Sequence, residues 1–292
     1  MNYLFISFIT LLLTISLSYL GSLKGPYFMG YPSLMLISIT GYLIHYLIFI
    51  PSYLFKTEKF YDITGTISYL VMSFIALISL NQFHLRSKIL VFLVIVWALR
   101  LGIFLLLRVF DVGEDRRFKD VKTTLTRFLM WFSISALWVF LTTFNAFTTI
   151  LSNDDSSLDV FFNIGIFIWL IGFLFEVVAD EQKRRFRKNK KNNGKFISSG
   201  LWSLSRHPNY FGEILIWIGI FIISIPILEG WQFLSIISPL FVILLLTKVS
   251  GVNLLEESAN KRWGKDKKYQ LYRDVTPVLI PFVNKKNKKT SN

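Results

Sequence analysis

Apolar runs of about 17 to 24 residues recur along this chain, and no other feature restricts its fold as strongly. About 20 residues are needed to cross the hydrocarbon core of a bilayer as a helix. The runs near 3–20, 31–54, 63–80, 88–107, 127–150, 159–178, 211–228 and 231–249 each read as one crossing. Only Leu228, Glu229 and Gly230 divide the last two, so seven full spans and one hairpin describe the pattern equally well. Hydrophobic residues make up 53% of the chain, more than a soluble domain of this size normally carries. The expected fold class is therefore all-α, a polytopic transmembrane bundle of about seven to eight spans with short cytosolic helices. The first run has no Lys or Arg in Met1-Asn2-Tyr3 and no small-x-small cleavage site behind it, so it reads as a helix that stays in the protein rather than as a signal peptide.

The formal net charge of +14 could suggest a nucleic-acid partner, but its placement argues against one. Lys56 and Lys59, then Arg108, Arg116, Arg117, Lys119, Lys122 and Arg127, then the stretch from Lys183 to Lys195, fall in alternate connections. The segment from Lys261 to Lys289 continues the series. The other connections hold only Lys24, Arg86 and Lys88, and the 151–158 loop carries Asp154 and Asp155. That alternation is the positive-inside pattern, and it places both termini in the cytosol. Topology and attraction to anionic membrane lipids account for most of the charge. There is no Cys, which excludes disulfides, thiolate nucleophiles and Cys-ligated metals. No spacing of His, Asp or Glu suggests a metal site, and neither a Gly-rich phosphate loop nor a G-x-S-x-G elbow occurs.

Residues 108–126 read as a mixed-charge cytosolic loop. Residues 179–206 begin as a continuation of the sixth helix and break at the turn signal Asn192-Asn193-Gly194. Residues 252–283 read as a cytosolic helix through EESANKRW, ended by Gly264, then a shorter piece through KYQLYRDV before Pro277 and Pro281.

Two clusters can carry chemistry. Glu176, Asp180, Arg184 and Arg187 leave the sixth span within an arc of about 80° on one helix face. A salt-bridged interfacial helix with snorkelling arginines is one reading, and a polar wall for a charged cofactor is the other. The second cluster is GLWSLSRHPNYFGE, residues 200–213. Pro208 suits a first helical turn, so the loop delivers Arg206 and His207 to a helix N-terminus, where exposed N–H groups favour anions. Arg206, Asn209 and Glu213 share a face, and Glu213 lies inside an apolar span, where an ionisable residue is a functional candidate. Arg100 sits inside the fourth span, and Asp62 opens the third. Asp62, Arg100, Glu176 and Glu213 are all expected at or a few turns below one membrane face, lining a cytosol-open cavity. His45 and His84 read as packed or interfacial histidines.

KTEKFYDITG (56–65), WALRLGIFLLLRV with GEDRRF (97–118), EVVADEQKRRF (176–186), GLWSLSRHPNYFGE (200–213) and EES with KYQLYRDVTPVLIPF (256–282) together resemble the DUF1295 family. That family is part of the membrane superfamily of steroid 5-alpha-reductase-like proteins and isoprenylcysteine methyltransferases. The resemblance divides the chain into N-terminal transmembrane helices (1–54), a steroid-reductase-like membrane domain (55–283) and a disordered basic tail (284–292). It implies NADPH bound in the C-terminal helices and hydride transfer to a C=C bond of a lipid-like enone drawn from the bilayer. The reductase branch carries an Asn-x3-Asp-x3-Arg-x2-Arg cofactor pattern, which Glu176, Asp180, Arg184 and Arg187 match with Glu in place of Asn. Asn209 and Glu213 match its following Asn-x3-Glu pair, and Arg100 is similar to the arginine of its middle helix. Tyr269 and Tyr272 lie where late cofactor-facing residues are expected.

The resemblance thus assigns Glu176, Asp180, Arg184, Arg187, Arg206, His207, Asn209, Tyr269 and Tyr272 to cofactor binding. Arg100, Tyr210 and Glu213 are left as the candidates for proton donation to the substrate. This sequence departs from the steroid enzymes at Trp97, where they place the tyrosine that polarises the substrate ketone, and their N-terminal glutamate motif has no counterpart here. The methyltransferase branch is the rival. Arg206, His207, Pro208, Tyr210 and Gly212 fit its R-H-P-x-Y-x-G segment, and the bound molecule would then be S-adenosylmethionine with a lipid or prenyl acceptor. A non-catalytic lipid-binding descendant is a third reading, against which the charged helix faces argue.

Overall fold

The computed structural model describes residues 2–80, 84–112, 118–152 and 158–283, and of residues 108–112 the backbone only. The basic tail, Asp154, Asp155, Arg116 and Arg117 lie outside the described residues.

The chain is an all-α polytopic membrane protein. Seven described helical runs are long and apolar enough to cross a bilayer, and an eighth, shorter apolar helix joins them. In chain order the helices are α1 (Tyr3–Gly21), α2 (Ser33–Leu54), α3 (Tyr61–Ile78), α4 (Leu85–Val112), α5 (Leu125–Ile150), α6 (Val160–Lys188), a four-residue turn α7 (Leu201–Leu204), α8 (Pro208–Ser224), α9 (Ile237–Leu244), α10 (Val252–Trp263) and α11 (Lys267–Val275), and the seventh spanning run covers Gly230–Trp263. A two-residue antiparallel hairpin, β1 (Tyr27–Phe28) with β2 (Tyr31–Pro32), joins α1 to α2. Met29 and Gly30 both take positive φ at its tip, the geometry that two-residue hairpin turns require.

The spans match those read from hydropathy, with two differences. α4 runs on to Val112, into the segment expected to be loop. The run near 231–249 is not one regular helix. It is a 3-10 segment over Gly230–Ile236, then α9, then a π turn over Leu245–Val249 that ends at Ser250 and Gly251. Pro239 falls in the first turn of α9, where its missing N–H costs nothing.

The helices fall into two compact units. The first comprises residues 1–163 and 220–238. In it α1 and α2 pack on α5, and α3 packs on α2 and α4. The second half of α5 is buried along its whole circumference, and Asn145 there donates to the hydroxyls of Ser224 (3.0 Å) and Ser235 (2.8 Å). His45 is fully buried. Its Nδ1 donates to the Gly41 carbonyl (2.7 Å), so its Nε2 accepts from Ser135 (3.1 Å). Phe118 and Val121 fold back onto Phe49, Phe128 and Phe132, and Lys122 pairs with the buried Glu58 at 2.8 Å. That arrangement gives the KTEKFYDITG segment a packing role. The second unit comprises residues 164–219 and 239–292 and holds most of the candidate site.

Candidate functional site

Within the second unit α6 and α8 cross so closely that their backbones touch. A Cβ added at Gly172 would lie 2.6 Å from the Gly212 carbonyl, and one at Gly212 would lie 2.5 Å from the Gly172 carbonyl and 2.6 Å from the Glu176 nitrogen. Small residues permit such contact between membrane helices. The crossing sets Asn209, in the first turn of α8, against Asp180 of α6, and its amide donates to Asp180 Oδ1 at 3.1 Å. Glu176 and Asp180 are both buried, with 3% and 6% exposure, at the level where α6 turns from apolar to charged. α6 then continues because nothing after Gly172 breaks it and Glu181 supports its last turns. Arg184 bonds Glu181 through both Nε (2.7 Å) and Nη2 (2.9 Å), and Arg185 joins it at 2.6 Å. Arg187 is exposed. The Lys183 ammonium lies 4.4 Å from the centre of the Trp202 ring.

The 200–207 segment is held from two sides. On the α6 side, the Trp202 indole donates to the Ala179 carbonyl (3.0 Å) and Leu201 N–H donates to the Gln182 side chain (2.9 Å). Gly200 has φ +61, and a Cβ there would meet Gln182 at 2.5 Å, so the turn needs glycine. On the other side, the chain returning after α11 accepts from it. Arg206 N–H donates to the Pro277 carbonyl (2.9 Å), and the Ser205 hydroxyl donates to Leu279 (2.7 Å).

This tether delivers Arg206 and His207, both buried, to Glu256 on α10. Arg206 Nη1 lies 2.7 Å from Oε2 of that carboxylate, and His207 Nε2 lies 2.9 Å from Oε1. Burial pushes the His207 imidazole below the usual histidine range, and the Glu256 hydrogen bond only partly restores it. The proton on Nε2 faces the carboxylate, so Nδ1 is the bare acceptor. It is buried and has no hydrogen-bond partner among the described residues. The His207 ring stacks on Tyr210, with centroids 5.7 Å apart. Glu213 follows one turn after Asn209, partly exposed.

Tyr269 and Tyr272 join an aromatic cluster around Phe196, which stacks on Tyr272 at 5.4 Å. The Tyr272 hydroxyl donates to the Trp202 carbonyl at 2.6 Å. Burial raises both phenols above their usual range. Tyr272 thereby braces the 200–207 segment, with Tyr269 packed behind it.

The second unit thus brings together Glu176, Asp180 and Asn209, and separately Arg206, His207 and Tyr210. Arg100 and Asp62 belong to the first unit, where the Arg100 guanidinium lies 5.6 Å from the Phe104 ring centre. Trp97, at the position of the family tyrosine, is buried there against Tyr69. Glu256 is the residue that sequence reasoning missed. Two buried cationic or polar groups at a membrane boundary call for a carboxylate, and the Glu256-Glu257 pair was the available signal. Among the described residues, no three His, Asp or Glu side chains group as metal ligands.

A family described as "Protein of unknown function (DUF1295)" matches residues 48–276. Curated proteins match shorter parts. The 3-oxo-5-alpha-steroid 4-dehydrogenase 1 of Bos taurus is 28% identical over 44% of this chain and 45% of its own length. The Delta(14)-sterol reductase of Arabidopsis thaliana is 32% identical over 18% of this chain and 17% of its own. The "Probable O-methyltransferase ustE" of Ustilaginoidea virens is 44% identical over 16% of each chain. Every one of these alignments spans less than half of the relative's length. No solved structure matches this chain at a significant level.

Proposed function

The chain belongs to the DUF1295 family, and from that premise we propose that it is a membrane-embedded, NADPH-dependent reductase of a C=C bond in a lipid-like substrate. The observation that carries this reading is the α6–α8 crossing, which couples buried Asp180 to Asn209 beneath a cationic helix end. Similarity over nearly half the chain to a steroid 4-dehydrogenase supports it.

The residues suit such a cofactor in charge and in hydrogen-bonding capacity. Lys183, Arg184, Arg185, Arg187 and Lys188 crowd the last turns of α6, where phosphates are attracted and bound by charge-assisted hydrogen bonds. The bare, buried Nδ1 of His207 suits a ribose hydroxyl or amide donor. Asp180, held by Asn209, is a carboxylate that suits the same kinds of group. Arg206 is oriented by Glu256, and its role is to set the positive field of the loop rather than to be freely available.

When bound, NADPH supplies the hydride. The protein orients the substrate, excludes water and donates a proton where charge develops on the substrate's carbonyl oxygen. Tyr210 and Glu213 on α8 are the donors we propose from the second unit. A donor role for Arg100 rests on the family resemblance alone. Arg100→Ala is expected to lower turnover at least about tenfold while leaving cofactor affinity unchanged.

The test is ligand stabilisation of the detergent-purified protein by NADPH, NADH and S-adenosylmethionine, each titrated alone. Stabilisation by NADPH, lost in the Asp180→Ala, Arg187→Ala double variant, is the expected result. Stabilisation by S-adenosylmethionine alone would move the protein to the methyltransferase reading, which the short similarity to an O-methyltransferase favours.

A further inference from the structure

The last described stretch of the chain carries apolar side chains that nothing in its own unit covers. In α11, buried Tyr269 and half-buried Tyr272 share one face, and Thr276 just beyond the helix is buried as well. Away from that face Leu271 and Val275 stand 66% and 58% exposed. Lys267 and Lys268 fall on that same outward arc, one turn before them. The chain then passes Pro277 and leaves Ile280 and Phe282 exposed, Phe282 by 75% and with φ +66. A non-glycine residue rarely takes that backbone, and the Phe282 ring stands exposed there. Exposed apolar side chains on a membrane-spanning helix meet lipid tails. This stretch is different, because charged residues lie on both sides of it and within it, so it lies outside the hydrocarbon spans.

We propose that the outward face of α11 and the strap through Phe282 lie on an anionic lipid surface. The lysines meet phospholipid headgroups, while Leu271, Val275, Ile280 and Phe282 enter the boundary between headgroups and acyl chains. The pattern is that of an interfacial helix, with apolar teeth on one face and basic residues beside them. Charge supports this occupant over a second copy of the chain. Residues 261–268 carry Lys261, Arg262, Lys265, Lys267 and Lys268 against Asp266 and the Glu257 partner of Lys261, a net positive charge that would repel its counterpart in a symmetric contact. The inward side of the same helix braces the 200–207 segment through Tyr272, so seating on lipid would also steady that segment.

The absence of native cysteine makes the test direct. Leu271→Cys and Phe282→Cys, made separately in the full chain, would each carry an environment-sensitive fluorophore. The proteins would be reconstituted in nanodiscs of phosphatidylcholine, with and without phosphatidylglycerol. Quenching would be compared between a lipid-attached nitroxide and water-borne acrylamide. The expected result is strong quenching by the nitroxide and weak quenching by acrylamide, with the contrast greatest when phosphatidylglycerol is present. Lys267→Glu with Lys268→Glu should shift the balance toward acrylamide by roughly fivefold per lysine. Equal acrylamide access in both kinds of disc would overturn the proposal. So would nitroxide-independent shielding together with energy transfer between labels on two copies. The readout needs no substrate or cofactor, so it stands or falls independently of the proposed reductase activity.

Discussion

His207 shows how a single side chain reports its surroundings. Its imidazole is kept neutral by burial, with Glu256 pulling weakly the other way. An unfolded chain would have an ordinary histidine here, titrating near pH 6.5. As pH falls through that value, the unfolded state takes up a proton that the folded state resists, so the folded state loses stability. The melting temperature in detergent should therefore fall as pH drops from about 7.5 to about 5.5, and His207→Gln should flatten that dependence. An unchanged slope would mean that the ring is not held neutral. Removing the carboxylate leaves Arg206 buried without its partner, so Glu256→Ala should cost about 3 kcal/mol in the same assay. Asp180 and Asn209 could be singled out as candidates because helical spacing puts such residues on a face and because ionisable groups near an apolar span are costly. Glu256 was not. It lies 49 residues from His207, and no local periodicity says where α10 sets down.

At the scale of elements, hydropathy was enough to find the spans, because burial in lipid demands length and apolarity before anything else. Composition could not reveal the sequence of 3-10, α and π geometry over 230–249, since all three use the same apolar residues. Nor could it reveal that KTEKFYDITG serves packing, which depends on Phe118 and Lys122 folding back from another segment. The α6–α8 crossing was also hidden, since a lone glycine in a helix has several meanings until its opposite number is known. With the two backbones in contact there, Gly212→Leu should destabilise by about 3 kcal/mol through overpacking. Separation of Asn209 from Asp180 should accompany it, and stabilisation by NADPH should drop further than the basal melting temperature explains. Gly212→Leu with full ligand stabilisation would sever the crossing from the site.

For the whole molecule, the two packing units do not follow the order of the chain, since residues 220–238 return to the first unit between two segments of the second. A linear reading has no access to such a return. The alternation of basic connections does predict an orientation, with both termini in the cytosol. A single cysteine at Asn193, in the longest basic connection, should react with impermeant reagent in inside-out vesicles and not in sealed right-side-out ones. The reverse pattern would invert the topology.

The tether between Ser205, Arg206 and the carbonyls of Pro277 and Leu279 also sets an order in time. The loop that carries Arg206 and His207 is synthesised some 70 residues before the backbone that fixes it. During synthesis α6 and α8 can meet in the membrane while that loop still lacks half of its partners. The charged centre is therefore completed last, and a chain stopped short of Pro277 would insert and span the membrane without ever closing it.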